Sequence, residues 1–260
     1  MKVAAIQHDI VWEQPEENHA RLAPMIAAAA NDGARLVALT EMYATGFSMN
    51  AVRIAEPIDG PSTTFLAEQA RTHGIWVGGS IPTRSATGAL PTNRFVLAAP
   101  DGAMHRYDKL HPFSYSGEDE HYRGGESTLT IDVEGVQVTP FVCYDLRFAD
   151  DFWAEAEHTD LYVVVANWPA SRREHWQTLL RARAIENQAY VLGVNRCGRD
   201  PKLGYSGRSL IVDPRGEVVA DAGSGEGLLR ADLDRASLLD YRRTFPVLPD
   251  IHPEYVRAEP

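Results

Sequence analysis

Cysteine is scarce in this chain: Cys143 and Cys197 are the two among 260 residues. That excludes a disulfide framework, leaves at most a single Cys143–Cys197 bridge, and favours reduced thiols. Basic runs are missing as well, since no Lys/Arg stretch exceeds a pair and 36 acidic residues outweigh 25 basic ones, for a formal net charge of -11. Such a charge repels phosphate backbones and anionic membranes, so neither nucleic acid nor a membrane is an expected partner. No apolar window approaches a membrane span, and Met1 to Gln7 reads as a strand instead of a basic-then-apolar leader, so a cytoplasmic location is expected. None of the nine histidines falls in a His-Glu-x-x-His pair or similar spacing, which disfavours a metalloenzyme. Gly223-Ser-Gly-Glu-Gly227 is glycine-rich but follows a hairpin and lacks the lysine and strand-to-helix setting of a phosphate-binding loop. There is no short-period repeat and no low-complexity segment beyond Ala27 to Ala30.

What is present is a hydrophobic content of 44%, enough for one α/β domain over residues 1–260 with a large core. Lys2 to Gln7, Arg35 to Thr40 and Ile75 to Ile81 read as strands, separated by helices starting at Pro15 and at Pro61. Gly74 is the expected cap of the second helix. Asn93 to Ala99 and Met104 to Tyr107 flank Asp101-Gly102 as a hairpin, so the sheet is not purely parallel. Ser114 to Glu126 has no apolar periodicity and reads as a loop. Thr128 to Val133 and Val136 to Val142 pair across Glu134-Gly135. Leu161 to Ala166 is the most continuously apolar strand. Ser171 to Glu174 reads as a capping box opening a helix to about Ala189, with Trp176, Leu179, Leu180 and Ile185 expected in the core. Tyr190 to Asn195, a hairpin around Asp213 to Gly216, and Gly227 to Leu233 supply the last strands. From about Leu238 an irregular tail is expected, carrying Pro246, Pro249 and Pro253.

The chemistry gathers on Val136 to Asp150. An alternating β-branched run stops at Cys143, and helical composition follows, which puts a thiol on a strand-to-helix turn. An isolated cysteine there is more often a small buried hydrophobe. Two other strand ends change the balance: Glu41 closes Arg35 to Thr40, and Lys109 ends the hairpin before Pro112. A carboxylate that takes the thiol proton, an ammonium that stabilises an oxyanion, and a thiol nucleophile form one chemical set for attack on a carbonyl. A Cys-His alternative would use His111 or His175.

Leu-Thr-Glu41-Met, Asp-Lys109-Leu-His and Val-Cys143-Tyr-Asp-Leu-Arg-Phe together resemble the nitrilase, or carbon–nitrogen hydrolase, superfamily with its Glu-Lys-Cys triad. The likeness extends to Ala166-Asn-Trp-Pro169 and Arg181 to Gln188, across essentially the whole chain. It implies a four-layer αββα sandwich that pairs with a second subunit as a homodimer or higher homo-oligomer, and it implies no metal or organic cofactor. The words around Cys143 resemble the amidase side, and among those the bacterial omega-amidases, which hydrolyse the terminal amide of 2-oxoglutaramate or 2-oxosuccinamate. The family also places a second glutamate near the lysine; the loop offers Glu118 and Glu120, and counting back from Gly125 selects Glu118. A carboxylated substrate needs a cation, for which Arg147, Arg172, Arg173 and Arg196 are the candidates, although Arg147 equally suits a partner of Asp145. Tyr43, Phe113 and Trp168 are candidate apolar walls, and Tyr144 contributes its backbone N–H. Another carbon–nitrogen substrate, such as an N-carbamoyl amino acid or another aliphatic amide, and a non-catalytic binding protein on the same scaffold, are the alternatives.

Overall fold

Side chains alternate along the first strand, β1 (Lys2–Gln7), between two cores: Val3 and Ala5 enter the larger one, Ala4 and Ile6 the smaller. A strand apolar on both faces needs a layer on each side, and the rest of the chain supplies them. The computed structural model describes residues 1–85 and 87–252. After β1 come α1 (Pro15–Asn31), β2 (Leu36–Ala38), the one-turn α2 (Ala51–Ile54), α3 (Pro61–His73) and β3 (Trp76–Thr83). The hairpin strands β4 (Thr92–Ala98) and β5 (Met104–Asp108) lead to the short α4 (Glu118–His121), then β6 (Ile131–Val133), β7 (Val136–Val142) and α5 (Ala149–Ala154). There follow β8 (Leu161–Ala166), α6 (Arg173–Glu186), β9 (Tyr190–Asn195), β10 (Cys197–Arg199) and β11 (Gly204–Ser206). The last elements are β12 (Leu210–Val212), β13 (Val218–Asp221), β14 (Gly227–Asp232) and α7 (Arg235–Thr244).

The strands form two six-stranded sheets, in the orders β14-β1-β2-β3-β4-β5 and β13-β12-β9-β8-β7-β6, with β10 and β11 as a separate ribbon. β1, β2 and β3 run parallel, and so do β7, β8 and β9. The sheets face one another, α1 and α3 cover the outside of the first, and α6 covers the second. This is the αββα sandwich expected from the sequence. On α6 the buried residues Trp176, Leu180, Arg183 and Ala184 follow helical spacing. Truncating the fully buried Leu180 to alanine would cost about 2–5 kcal/mol.

Several local expectations need correction. The helix opened by Ser171 begins instead at Arg173 without a side-chain cap, because a 3-10 turn over Ala170–Arg172 feeds it and takes up Ser171. Ile185 is 49% exposed and lies over Gly216 at the helix surface. The segment Ser114 to Glu126 is not loop throughout, since it holds a 3-10 turn at Ser114–Ser116 and then α4. The stretch from Leu238 is largely helical: α7 is capped by Asp234, whose side chain accepts from the Ser237 N–H at 3.1 Å. Arg242 then ties α7 down by donating to the carbonyls of Gln188 at 2.9 Å and Thr159 at 2.6 Å. Pro253 lies outside the described residues. Among the described residues no helix is long and apolar enough to cross a membrane.

Candidate active site

In both parallel blocks the carboxyl ends of the strands point to the same edge of the sandwich, and side chains just beyond those ends converge there. Glu41 follows β2, Lys109 follows β5, Cys143 follows β7 and Asn167 follows β8. β4 runs antiparallel to β3, so its first residues, including Asn93, start at that edge. Glu118 arrives on α4.

Lys109 lies between two carboxylates, with Nζ 3.0 Å from Glu41 Oε1 and 2.8 Å from Glu118 Oε2. All three side chains are essentially buried. Asn93 bridges the same pair, its Nδ2 donating to Glu41 Oε1 at 2.8 Å and to Glu118 Oε1 at 3.2 Å. Its amide is oriented by Ser80 Oγ, which donates to Asn93 Oδ1 at 2.7 Å and accepts from the Met42 N–H at 2.8 Å. The second oxygen of Glu41, Oε2, accepts from the Asn167 N–H at 2.8 Å. Glu118 Oε2 takes a further bond from the Phe113 N–H at 2.6 Å. Glu120, the other acidic candidate, is exposed on the outside of α4.

Burial works against the Lys109 charge, but Glu118 and then Glu41 outweigh it and hold the ammonium firmly protonated. Burial raises the Glu118 carboxyl above its ordinary value, with Lys109 offsetting only part of the effect. Cys143 is half-buried and reduced, as is the buried Cys197, which stands apart from the cluster. Burial, followed by the Glu41 charge, pushes the Cys143 thiol well above its usual range despite Lys109. At neutral pH the sulfur is therefore a thiol that needs a base, and the carboxylate facing it is Glu41.

Cys143 sits at φ 50°, in the left-handed region that side chains disfavour, at the head of a 3-10 turn over Cys143–Arg147. Asp145 secures that turn. Its carboxylate accepts from the Val142 N–H at 2.9 Å, the Tyr107 hydroxyl at 2.7 Å and the His111 N–H at 2.9 Å. Burial still lifts the Asp145 carboxyl to about 6. Arg147 is not its partner: the Arg147 guanidinium lies 4.8 Å from the Trp168 ring centre and 3.2 Å from His175 Nδ1.

A cavity of about 330 Å³ opens over Cys143. Phe113, Tyr144, Arg147 and Trp168, all singled out in the sequence, line it, and so does Arg172. The other expected wall is misplaced. Tyr43 is fully buried behind the site, its hydroxyl donating to the Ser62 carbonyl at 2.6 Å and its ring packing near Phe65 and His19. Met42, at φ 41°, turns the chain after Glu41 and sends Tyr43 into the core. Two arginine candidates also lie elsewhere: Arg173 pairs with Glu174 at the surface, and the buried Arg196 pairs with Asp9 at 2.8 Å. Sequence reasoning missed Asn93 as a bridge and gave Asn167 no role. It also missed the walls Trp12, Phe47 and Met49 and the Asp200 to Tyr205 side of the cavity. His111 Nε2 donates to Asp151 Oδ2 at 2.6 Å, and its ring stacks on Phe148. Among the described residues no group of three or more His, Cys, Asp and Glu side chains could hold a metal ion.

The arrangement suits attack by sulfur on a carbonyl carbon, with proton transfer through a carboxylate and charge stabilisation by a fixed ammonium. The chain is also similar to known proteins. The chain is 40% identical over 253 residues to an omega-amidase, YafV, of Yersinia enterocolitica, covering 96% of each. It is 31% identical over 255 residues to a 2-oxoglutaramate amidase of Bacillus subtilis, again covering 96% of each. Its fold superimposes with a TM-score of 0.92, at 34% identity and over 97% of each chain, on a CN-hydrolase superfamily protein of Xanthomonas campestris with an arsenic adduct in its active site. The model of the carbon-nitrogen hydrolase family matches residues 2–243, and the chain belongs to that family.

Proposed function

We propose that this carbon–nitrogen hydrolase is an omega-amidase, releasing ammonia from the terminal amide of a small carboxylated amide of the 2-oxoglutaramate or 2-oxosuccinamate type. Cys143, Glu41, Lys109 and Glu118 carry the reaction. The observation behind the reading is the buried Glu41–Lys109–Glu118 cluster under a half-buried thiol, with Arg147 and Arg172 in the cavity above it. Among the described residues neither arginine has a carboxylate partner within ion-pair distance, although the chain carries a net charge of -11. Relatives named omega-amidase and 2-oxoglutaramate amidase support the same substrate class.

In the proposed cycle Glu41 takes the proton from the Cys143 thiol as the sulfur bonds to the amide carbon. The carbonyl oxygen gains the negative charge, which Lys109 and the Tyr144 N–H stabilise. As the tetrahedral intermediate collapses, the carbon–nitrogen bond breaks and the nitrogen takes the proton from Glu41, leaving as ammonia. Glu41 then removes a proton from water as its oxygen bonds to the thioester carbon. The carbon–sulfur bond breaks, the proton returns to sulfur, and the acid departs. Glu118 keeps Lys109 aimed at the oxyanion. Phe113 and Trp168 flank the substrate, and Arg147, beside the Trp168 face, meets its carboxylate.

Ammonia release is measured over a panel of 2-oxo acid amides, glutamine, asparagine, N-carbamoyl amino acids and nitriles. The 2-oxo acid amides are expected to lead, and a winning nitrile or carbamoyl compound would overturn the substrate assignment. Cys143→Ala is expected to abolish turnover with an unchanged circular dichroism spectrum; persistent turnover would remove the thiol from the mechanism. Assembly with a second copy and a cytoplasmic location belong to the same reading, the first checked by light scattering of the purified chain.

A further inference from the structure

Asn167 has one hydrogen-bonding atom that the described residues leave unused. Its Nδ2 donates to the Glu41 carbonyl oxygen at 2.7 Å and faces Glu41 Oε2 at 3.4 Å. Two acceptors on that side fix the amide's orientation, so Oδ1 is turned away from them. Asn167 lines the cavity with Cys143, is 5% exposed, and its Oδ1 is buried with no hydrogen-bond partner among the described residues. Buried acceptors are rarely left unpaired, and one carried by a residue at the wall of a binding cavity calls for a donor on the ligand.

The two oxygens of Glu41 indicate which donor. Oε1 is occupied by Lys109 and Asn93, whereas Oε2 is on the Asn167 side. Lys109 marks the direction of the substrate's carbonyl oxygen. The nitrogen of a planar carboxamide then falls on the other side of the same carboxylate, beside Asn167 and within reach of the proton that Glu41 returns.

We infer that Asn167 Oδ1 accepts a hydrogen bond from the substrate's carboxamide N–H and thereby selects an unsubstituted amide over an ester or acid of the same shape. This rests on the amidase reading and names how the leaving group is recognised. An ester oxygen presents lone pairs to Oδ1 where the amide presents a proton, and so does the product carboxylate, which favours product release.

The test separates binding from chemistry. In the Cys143→Ala protein, titration calorimetry compares glutaramate, the monoamide of glutaric acid, with its monomethyl ester. The amide is expected to bind about 5- to 10-fold more tightly, the worth of one hydrogen bond. Adding Asn167→Ala is expected to remove that preference by weakening the amide and leaving the ester unchanged. Equal weakening of both ligands would assign Asn167 only to holding Glu41 and overturn the proposal. So would the absence of a preference in Cys143→Ala alone, a comparison that does not depend on the second variant folding. Ammonia release by the unaltered enzyme tests the amidase reading independently: turnover without an amide preference in binding sinks the hydrogen bond and leaves the amidase standing.

Discussion

Lys109 keeps apart two buried carboxylates that would otherwise repel each other across the site. With the ammonium 3.0 Å from one and 2.8 Å from the other, removing it does more than delete an oxyanion partner. Lys109→Met leaves Glu41 and Glu118 without their counter-ion, and one of them is expected to take up a proton. Ammonia release should fall at least roughly 100-fold, and urea unfolding should show a loss of about 3–5 kcal/mol, as when one member of a buried ion pair is removed. Loss of activity with undiminished stability would mean that the cluster is not electrostatically coupled. Glu41 and Cys143 were legible in the sequence because each ends an apolar run, where a strand boundary is easy to place, and Lys109 because it closes the hairpin around Asp101-Gly102. Asn93 and Asn167 were not, because a strand-end asparagine has ordinary roles in turns. Only the packed sheets reveal that both amides point at one carboxylate.

Glycine within a strand permits the close approach of α6 to its sheet. A Cβ built on Gly193 in β9 would come 2.8 Å from Leu180 Cδ2 and 3.0 Å from Trp176 Cζ2, both in the packed face of α6. Trp176 cannot retreat easily, since its indole Nε1 donates to the Arg208 carbonyl at 2.7 Å. Gly193→Ala is therefore expected to destabilise the fold by about 1–3 kcal/mol through overpacking. Chemical denaturation measures this, and an unchanged midpoint would show that α6 shifts freely. Elements with strong apolar runs were legible nearly to the residue: Leu161–Ala166 and Tyr190–Asn195 match their expected bounds. The departures occur where local signals compete. Three prolines made the end of the chain look irregular, yet Asp234 three residues before Ser237 is a helix start that could have been read. Tyr43 looked like a pocket wall because it follows Glu41, and only the positive φ of Met42 diverts it.

Across the whole molecule, burial of a titratable group outside the catalytic cluster sets a pH dependence of stability. His8, 2% exposed at the end of β1, has its pKa lowered to about 4, chiefly by burial. The unfolded chain takes that proton near 6.5, before the folded one does, so His8 costs no stability above 6.5 and progressively more as pH falls toward 4. The full difference is about 3 kcal/mol. Asp145, lifted to about 6, acts in the opposite sense over the lower part of the same range, because its proton is held more tightly in the fold. Comparison with His8→Gln isolates the histidine: the unaltered protein should lose about 3 kcal/mol relative to the variant between pH 7 and 4. Parallel stability curves would refute the assignment. The layers were implied by the family resemblance, with which the strand order agrees, but the cavity walls Trp12, Phe47 and Met49 were not legible. They come from irregular segments, which carry no periodicity to read.

The ribbon formed by β10 and β11 belongs to neither sheet, yet Asp200, Lys202, Leu203 and Tyr205 on or beside it line the cavity. Its turn is organised internally, Asp200 accepting from the N–H groups of Lys202 and Leu203 and from the Tyr205 hydroxyl. The buried polar cluster under the thiol takes no residue from it. Mutation or recombination in this ribbon can therefore redraw the shape and charge of the entrance while the proton-handling residues keep their places, so the architecture lets a lineage explore new acyl groups without first surrendering its chemistry.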